Sequence, residues 1–318
     1  MSATPTRRMV AVTVLVPVVV ALALWAFAWP AARTAPRDVP VGVAGPAAAA
    51  AGIERGFEQR AGAFEVHRYE DETAARAAVE DRVVYGAVVA SPEGVTVLTA
   101  PAGSPAVAQI LKEAVTAAAP DGTRVQVADV VPLPSGDPRG SALAASVLPL
   151  ALAGVAAGAL VTVLGLRGLR GAAALTGAAL LVGVTAAGIA HSWLGVLDGN
   201  WWAEAGALGL TVLAVGASVA GLGALLGVPG IGVGALLMIL IGNPFSGASS
   251  APELLPDPAG AIGQWLPPGA GAWLLRSVAY FDGNGIGSAL LTLSLWAGLG
   301  LLAVVVGPRL RRTPATTV

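Results

Sequence analysis

The sequence predicts a polytopic α-helical membrane protein of six spans, with an extracytoplasmic α/β domain inserted between the first and second spans. Three observations carry this expectation. Of 318 residues, 55% are hydrophobic and only 12% charged, against roughly 25% charged in a soluble domain. Long uncharged runs reach the ~20 residues needed to cross hydrocarbon, and a single polar stretch, residues 30–141, separates the first run from the others. The charges also divide between the two sides that such a topology creates.

Composition excludes several classes. A net charge of −1 leaves no basic footprint, so no nucleic-acid partner is expected. With no Cys, and with His67 and His191 the only histidines, no metal site is expected. Lys112 is the only lysine and is not preceded by glycines, so the chain holds no P-loop and cannot hydrolyse ATP by that route. No nucleophile elbow or paired-ligand spacing appears, and we expect neither enzyme activity nor a cofactor.

Residues 1–8 form a cytoplasmic N-terminus and residues 9–29, MVAVTVLVPVVVALALWAFAW, the first span. Arg7 and Arg8 ahead of an apolar run also fit a cleaved signal peptide, but the run exceeds the roughly 7–15 residues of such a core, so an anchored helix is the better reading. The remaining spans fall at about 142–166, 171–191, 206–228, 230–242 (short) and 288–307, within a membrane domain of residues 142–308 followed by a cytoplasmic tail, 309–318. Cytoplasmic flanks are enriched in Lys and Arg. With both termini inside, the inner segments hold Arg7, Arg8, Arg167, Arg170, Arg309, Arg311 and Arg312 and no acid, while all 19 Asp and Glu lie outside. Trp25, Trp29, Trp193, Trp201, Trp202, Trp265 and Trp273 map near the outer interface, where the amphipathic indole is favoured, and only Trp296 lies within a span. The expected location is the cell (plasma) membrane, with the lipid bilayer as solvent.

Within 30–141, residues 30–37 read as a linker. VPVGVAG, FEVHRY, VVYGAVVAS, VTVLTA and TRVQVADVVPL read as strands, the third and fourth joined by the turn EG into a hairpin. The helices between them are PAAAAAGIERGFEQRAG, DETAARAAVEDR with Asp71 or Thr73 as cap, and SPAVAQILKEAVTAAAP with Ser104 as cap and Pro105 at its first position. Alternation of strands with helices of this length predicts an α/β sandwich on a largely parallel sheet, with its own small core. The acids of EDE at 70–72 oppose a helix dipole, and His67 reads as an edge-strand residue rather than a base.

The spans as drawn contain no Asp, Glu, Lys or Arg, which argues against a proton or ion relay. His191 sits at the end of the third as an interfacial residue. Glycines four apart, 154/158, 223/227 and 230/234, let helix backbones approach closely. After the short fifth span comes NPFSGASSAPELLP and then GAIGQWLPPGAGAWLLRSVAYFDG, too broken for a span and too apolar for a free loop. We read residues 243–283 as a re-entrant or interfacial cap at the outer mouth of the bundle, the other reading being a lipid-lying loop with no gate function. Asn243, Pro244, Pro267, Pro268, Trp273 and Arg276 are its candidate gate residues. Pro267 and Pro268 open a short helix on which Trp273, Leu274, Val278 and Phe281 face lipid or protein, with Arg276 directed to headgroups or paired with Glu253, Asp257 or Asp282.

DETAARAAVEDRVVYGAVVAS in the outer region, and NPFSG, APELLP and GQWLPPGAGAWLLRSVAYF before the last span, resemble the membrane subunits of type-2 ABC exporters. The variant with a large outer domain is similar to the phage infection protein group. The resemblance covers nearly the whole chain. It implies export of a lipid, drug or cell-envelope component, energy from a separate ATP-binding subunit, and a homo- or heterodimer of membrane subunits. An ATPase grips such a subunit through cytoplasmic segments, and here only RGLRG, with Arg167 and Arg170, offers a coupling loop; the other inner connection is GVPG. The alternative is a non-transporting envelope protein whose outer domain docks a partner, polymer or phage.

Overall fold

The structure, a computed structural model, describes residues 5–92, 94–119 and 123–310. It is mostly helical, with a small α/β domain between its first two long helices. Glu93 of the expected hairpin turn, together with Arg311, Arg312 and the rest of the tail, lies outside the described residues.

The α/β domain follows helix α1 (Pro5–Ala32). Its elements are β1 (Val39–Ala44), α2 (Ala47–Glu58), β2 (Phe64–Tyr69), α3 (Glu72–Glu80), β3 (Gly86–Ser91), β4 (Gly94–Thr99), α4 (Pro105–Ala118) and β5 (Val125–Asp129). The sheet order is β2-β1-β3-β4-β5, parallel except for the β3-β4 hairpin. Local chemistry explains the helix starts. Asp71 accepts from the Ala74 N–H at 2.9 Å, and Ser104 from the Val107 N–H at 3.2 Å with Pro105 at the first helical position. His67 lies on the edge strand β2, 3.4 Å from Glu65.

β1 and β3 are covered on both faces. Val41, Val43, Val88 and Val97 meet α2 and α4 through Phe57 and Leu111, while Ala87, Val89 and Leu98 meet α3 through Ala75 and Val79. Neither face is closed by the domain alone. Ala251 and Leu254 enter the first core and Phe281 the second, all from the 243–283 segment. The self-contained core expected from the sequence is thus shared, because three helices leave part of a five-stranded sheet uncovered.

The helical part comprises α5 (Ser141–Val163), α6 (Leu169–Ala187) with a π-helical turn Gly188–Trp193, α7 (Trp201–Leu226), α8 (Val228–Leu236) with a π-helical turn Leu237–Gly242, short helices α9 (Ala259–Gln264) and α10 (Pro267–Tyr280), and α11 (Gly287–Leu310). Five helices among the described residues are long and apolar enough to cross a membrane; the apolar helix Val228–Gly242 is shorter. α7 is the hub, packed by α5, α6, α8, α10 and α11.

Small residues make that packing possible. A Cβ on Gly158 would lie 2.5 Å from Gly216 O, one on Gly234 3.1 Å from Val219 Cα, and one on Gly300 2.4 Å from the Ala217 carbonyl carbon. Gly227, by contrast, serves the α7–α8 turn, where its φ of +77° is open to glycine at little cost. α1 stands apart: most of its apolar side chains are exposed, and it is held where Trp25 and Trp29 stack at 5.4 Å and meet Phe245.

Candidate functional site

Residues 243–283 roof one end of the bundle. Pro267 and Pro268 open α10, where their missing N–H groups would have had no helical partner anyway. Both are buried, and a Cβ on Gly242 would lie 2.7 Å from Pro268 Cγ, so the roof is pressed onto the end of the short helix. Gly271 faces Thr211 of α7 equally closely, at 2.5 Å from a built Cβ. The carbonyl of Asn243 accepts from Ser246 Oγ at 2.7 Å, and Pro244 is half-buried beside it.

The expected lipid-or-protein face of α10 divides. Leu274 belongs to the bundle core and Phe281 to the α/β core, with Trp273 and Val278 half-buried. Arg276 departs from its expected role. It is 5% exposed, and Nη2 donates to Ala248 O at 3.0 Å; among the described residues it forms no ion pair with Glu253, Asp257 or Asp282. The loop after the short helix folds over α10, and its buried carbonyl takes the guanidinium because it must find a donor.

The α/β domain is keyed to this roof by residues that the sequence reading passed over. Arg82, at a left-handed φ of +59°, leaves the end of α3 and reaches α10. Its Nη1 donates to Trp273 O at 3.2 Å and to Ser277 Oγ. Its guanidinium carbon lies 3.8 Å from the Trp273 ring centroid and 4.8 Å from that of Phe281, within cation–π range. Tyr85 OH donates to Glu253 Oε2 at 2.8 Å. Arg37 Nη1 donates to Leu254 O at 3.1 Å, and Asn284 Nδ2 to Asp81 Oδ1 at 3.1 Å.

Burial pushes the Arg82 guanidinium down to about 9, so it remains a cation at neutral pH. Burial, then the charge of Glu253, pushes the Tyr85 phenol well above its usual value, so it stays protonated and donates. Between the two parts lies a partly open cavity of about 130 Å³, lined by Arg82, Tyr85, Glu253, Trp273 and Phe281 with apolar neighbours.

A second polar cluster sits at the same end. Asn200 caps α7, its side chain accepting from the N–H groups of Trp202 and Ala203 at 3.1 and 3.0 Å, so the helix starts five residues before the boundary expected at 206. That brings Glu204 inside it. Glu204 is fully buried, with Oε2 2.9 Å from His191 Nδ1 and Oε1 accepting from the Gly199 N–H at 2.9 Å. The charge-free spans drawn from the sequence are corrected here, and His191 is a carboxylate partner rather than a free interfacial residue. Arg170 likewise lies within the membrane-length helix Leu169–Trp193. The Arg167 and Arg170 side chains are exposed at the α5–α6 connection and, among the described residues, form no ion pair or side-chain hydrogen bond.

Fold and site together define a helical membrane protein, by the length and composition of its helices, with an α/β domain fixed to a folded-back roof. No protein-family model, curated protein or solved structure matches the chain. Among the described residues no group of three or more His, Cys, Asp or Glu is placed to hold a metal ion.

Proposed function

We propose that the chain is the membrane subunit of an exporter for a lipid, drug or cell-envelope component, working as a pair of membrane subunits with a separate ATP-binding subunit. In this reading it crosses the cell membrane six times with both termini cytoplasmic, the shorter Val228–Gly242 helix being the fifth crossing. One observation carries the reading: the bundle has two unlike ends. At one end the 243–283 roof is buried against α7 and keyed to the α/β domain; at the other, a short α5–α6 connection presents Arg167 and Arg170 bare. A displacement of α5 or α6 imposed there reaches the roof through α7, which packs against both and against α10. The exposed length of α1 offers an apolar face to lipid or to a second membrane subunit.

Co-purification tests it. An ATPase is expected to travel with the native chain, and Arg167→Glu with Arg170→Glu is expected to reduce its recovery at least tenfold while the α/β domain stays folded. No ATPase on the native chain, or equal recovery with the double variant, removes the exporter reading. The alternative, an envelope protein that docks a partner, polymer or phage through its α/β domain, is favoured by the tight packing between α5, α7 and α10, where the cavity measures only about 10 Å³.

Orientation has its own test, helped by the absence of native cysteine. Cysteines replacing the exposed Ser135 and Ser249 are expected to react with an impermeant thiol reagent on intact cells, and one at Thr313 is not. Reaction at Thr313 with protection of the other two would invert the topology.

A further inference from the structure

We propose that the cavity between the α/β domain and α10 binds a singly charged oxyanion, a phosphodiester or carboxylate group, on the free edge of Arg82. The observation at its centre is an orphaned donor. Arg82 Nη2 is buried and, among the described residues, has no hydrogen-bond partner, while Nη1 of the same group is satisfied by Trp273 O and Ser277 Oγ. Buried polar groups are rarely left unpaired, and an exception in a built site points to something bound there. The guanidinium is held in place by the two Nη1 hydrogen bonds and by the Trp273 and Phe281 rings, whose centroids lie 3.8 and 4.8 Å from its carbon. Its free edge is therefore preorganised, and a guanidinium edge matches the spacing of oxyanion oxygens.

Charge sets the valence of the ligand. Arg82 and Arg276 bring two positive charges to this region, and the one carboxylate lining the cavity, Glu253, already accepts the Tyr85 hydroxyl. Neither arginine forms an ion pair among the described residues, and Asp81, which keeps its charge while accepting from Asn284, does not line the cavity. The balance is one uncompensated positive charge, which a monoanion neutralises and a dianion overshoots beside Glu253.

Size is consistent with a single head group. A water occupies roughly 30 Å³ of liquid, so about 130 Å³ holds a few waters or one such group. Pro40, Val84 and Ala100 supply apolar walls, which strengthen a charge–charge contact by excluding water. Such a site does not depend on whether the chain transports anything.

Titration of the full-length protein in a neutral detergent, followed by calorimetry, provides the test. Dimethyl phosphate and acetate are the probes, with uncharged dimethyl sulfone as the control of similar size. Saturable binding of at least one anion is expected, at least tenfold tighter than the sulfone. It should weaken at least tenfold in Arg82→Gln and in Val83→Glu. The second variant guards against misfolding, since Val83 is 52% exposed on the cavity rim and its replacement puts a carboxylate at the mouth without breaking a junction hydrogen bond.

Two further arms separate the sources. A phospholipid retained by the purified native chain in native mass spectrometry, displaced by dimethyl phosphate and lost in Val83→Glu, assigns the site to a lipid head group. Anion binding to delipidated protein that added phospholipid does not compete assigns it to a free solute. Native protein that binds neither anion better than the sulfone up to roughly 10 mM, well into the weak-affinity range, or that binds equally in both variants, overturns the proposal and leaves water as the occupant.

Discussion

Gly263→Ala is expected to abolish recovery of folded protein. The Cβ it adds would lie 1.6 Å from Phe245 O and 2.4 Å from the Phe245 carbonyl carbon, and backbone cannot rotate away as a side chain can. Overpacking costs about 1–3 kcal/mol where side chains can shift, and here the roof itself must move. Phe245 is also the ring that Trp25 and Trp29 pack against, so the displacement disturbs one of the places where α1 is held. Gly158→Leu is expected to fail for a related reason inside the bundle, since Gly216 O lies 2.5 Å and Val219 Cβ 2.8 Å from the new Cβ. Gly177→Ala and Gly232→Ala are the controls: both sites are helical and, among the described residues, nothing outside the helix's own backbone lies within 4 Å of a built Cβ. Those two should be neutral or raise stability by about 0.5–1 kcal/mol. Size-exclusion profiles and melting of detergent-solubilised protein read all four. A Gly263→Ala protein with native yield and native melting would mean that the roof does not pack as described.

What the sequence disclosed, and what it hid, follows from the range of each interaction. Asp71, Ser104 and Pro105 act on N–H groups within a few residues, so their helices were placed from local chemistry. Alternation in VPVGVAG and FEVHRY disclosed the strands, and the EG turn disclosed the hairpin. Strand order did not follow, because nothing local chooses between β2 and β3 as neighbours of β1, which pairs with both. Arg82 was invisible as a junction residue: in DRVV it reads as the charged end of a helix, while its partners Trp273 and Ser277 are nearly 200 positions away. Arg276 stands out in the sequence, but an arginine in an apolar helix suggests lipid headgroups or a carboxylate, and only the folded loop shows Ala248 O in that place. The roof was legible as a segment, since proline and glycine break it while leucine and tryptophan keep it apolar. Its shared core with the α/β domain was not.

His191→Ala is expected to destabilise the protein more than removal of the acid it contacts. Glu204 is fully buried, and without the imidazole only the Gly199 N–H remains bonded to its carboxylate. Leaving a buried carboxylate without its side-chain donor costs more than the roughly 1–3 kcal/mol of a neutral group, because its charge stays out of water. Glu204→Leu removes the charge and leaves the imidazole, 29% exposed, able to hydrate; its main loss is the acceptor for Gly199, about 1–3 kcal/mol. Glu204→Gln keeps an acceptor for Gly199 and a donor for His191 and should cost least. The same logic makes the double variant informative. If His191→Ala acts by stranding a charge, then His191→Ala with Glu204→Gln should be more stable than His191→Ala alone, a sign reversal that simple loss of packing does not produce. Denaturation of the native protein and the four variants in one detergent measures the order. His191→Ala melting with the native protein, or a double variant weaker than both singles, would show that the pair is not a buried charge contact, and Glu204 would then have to be held by something other than His191.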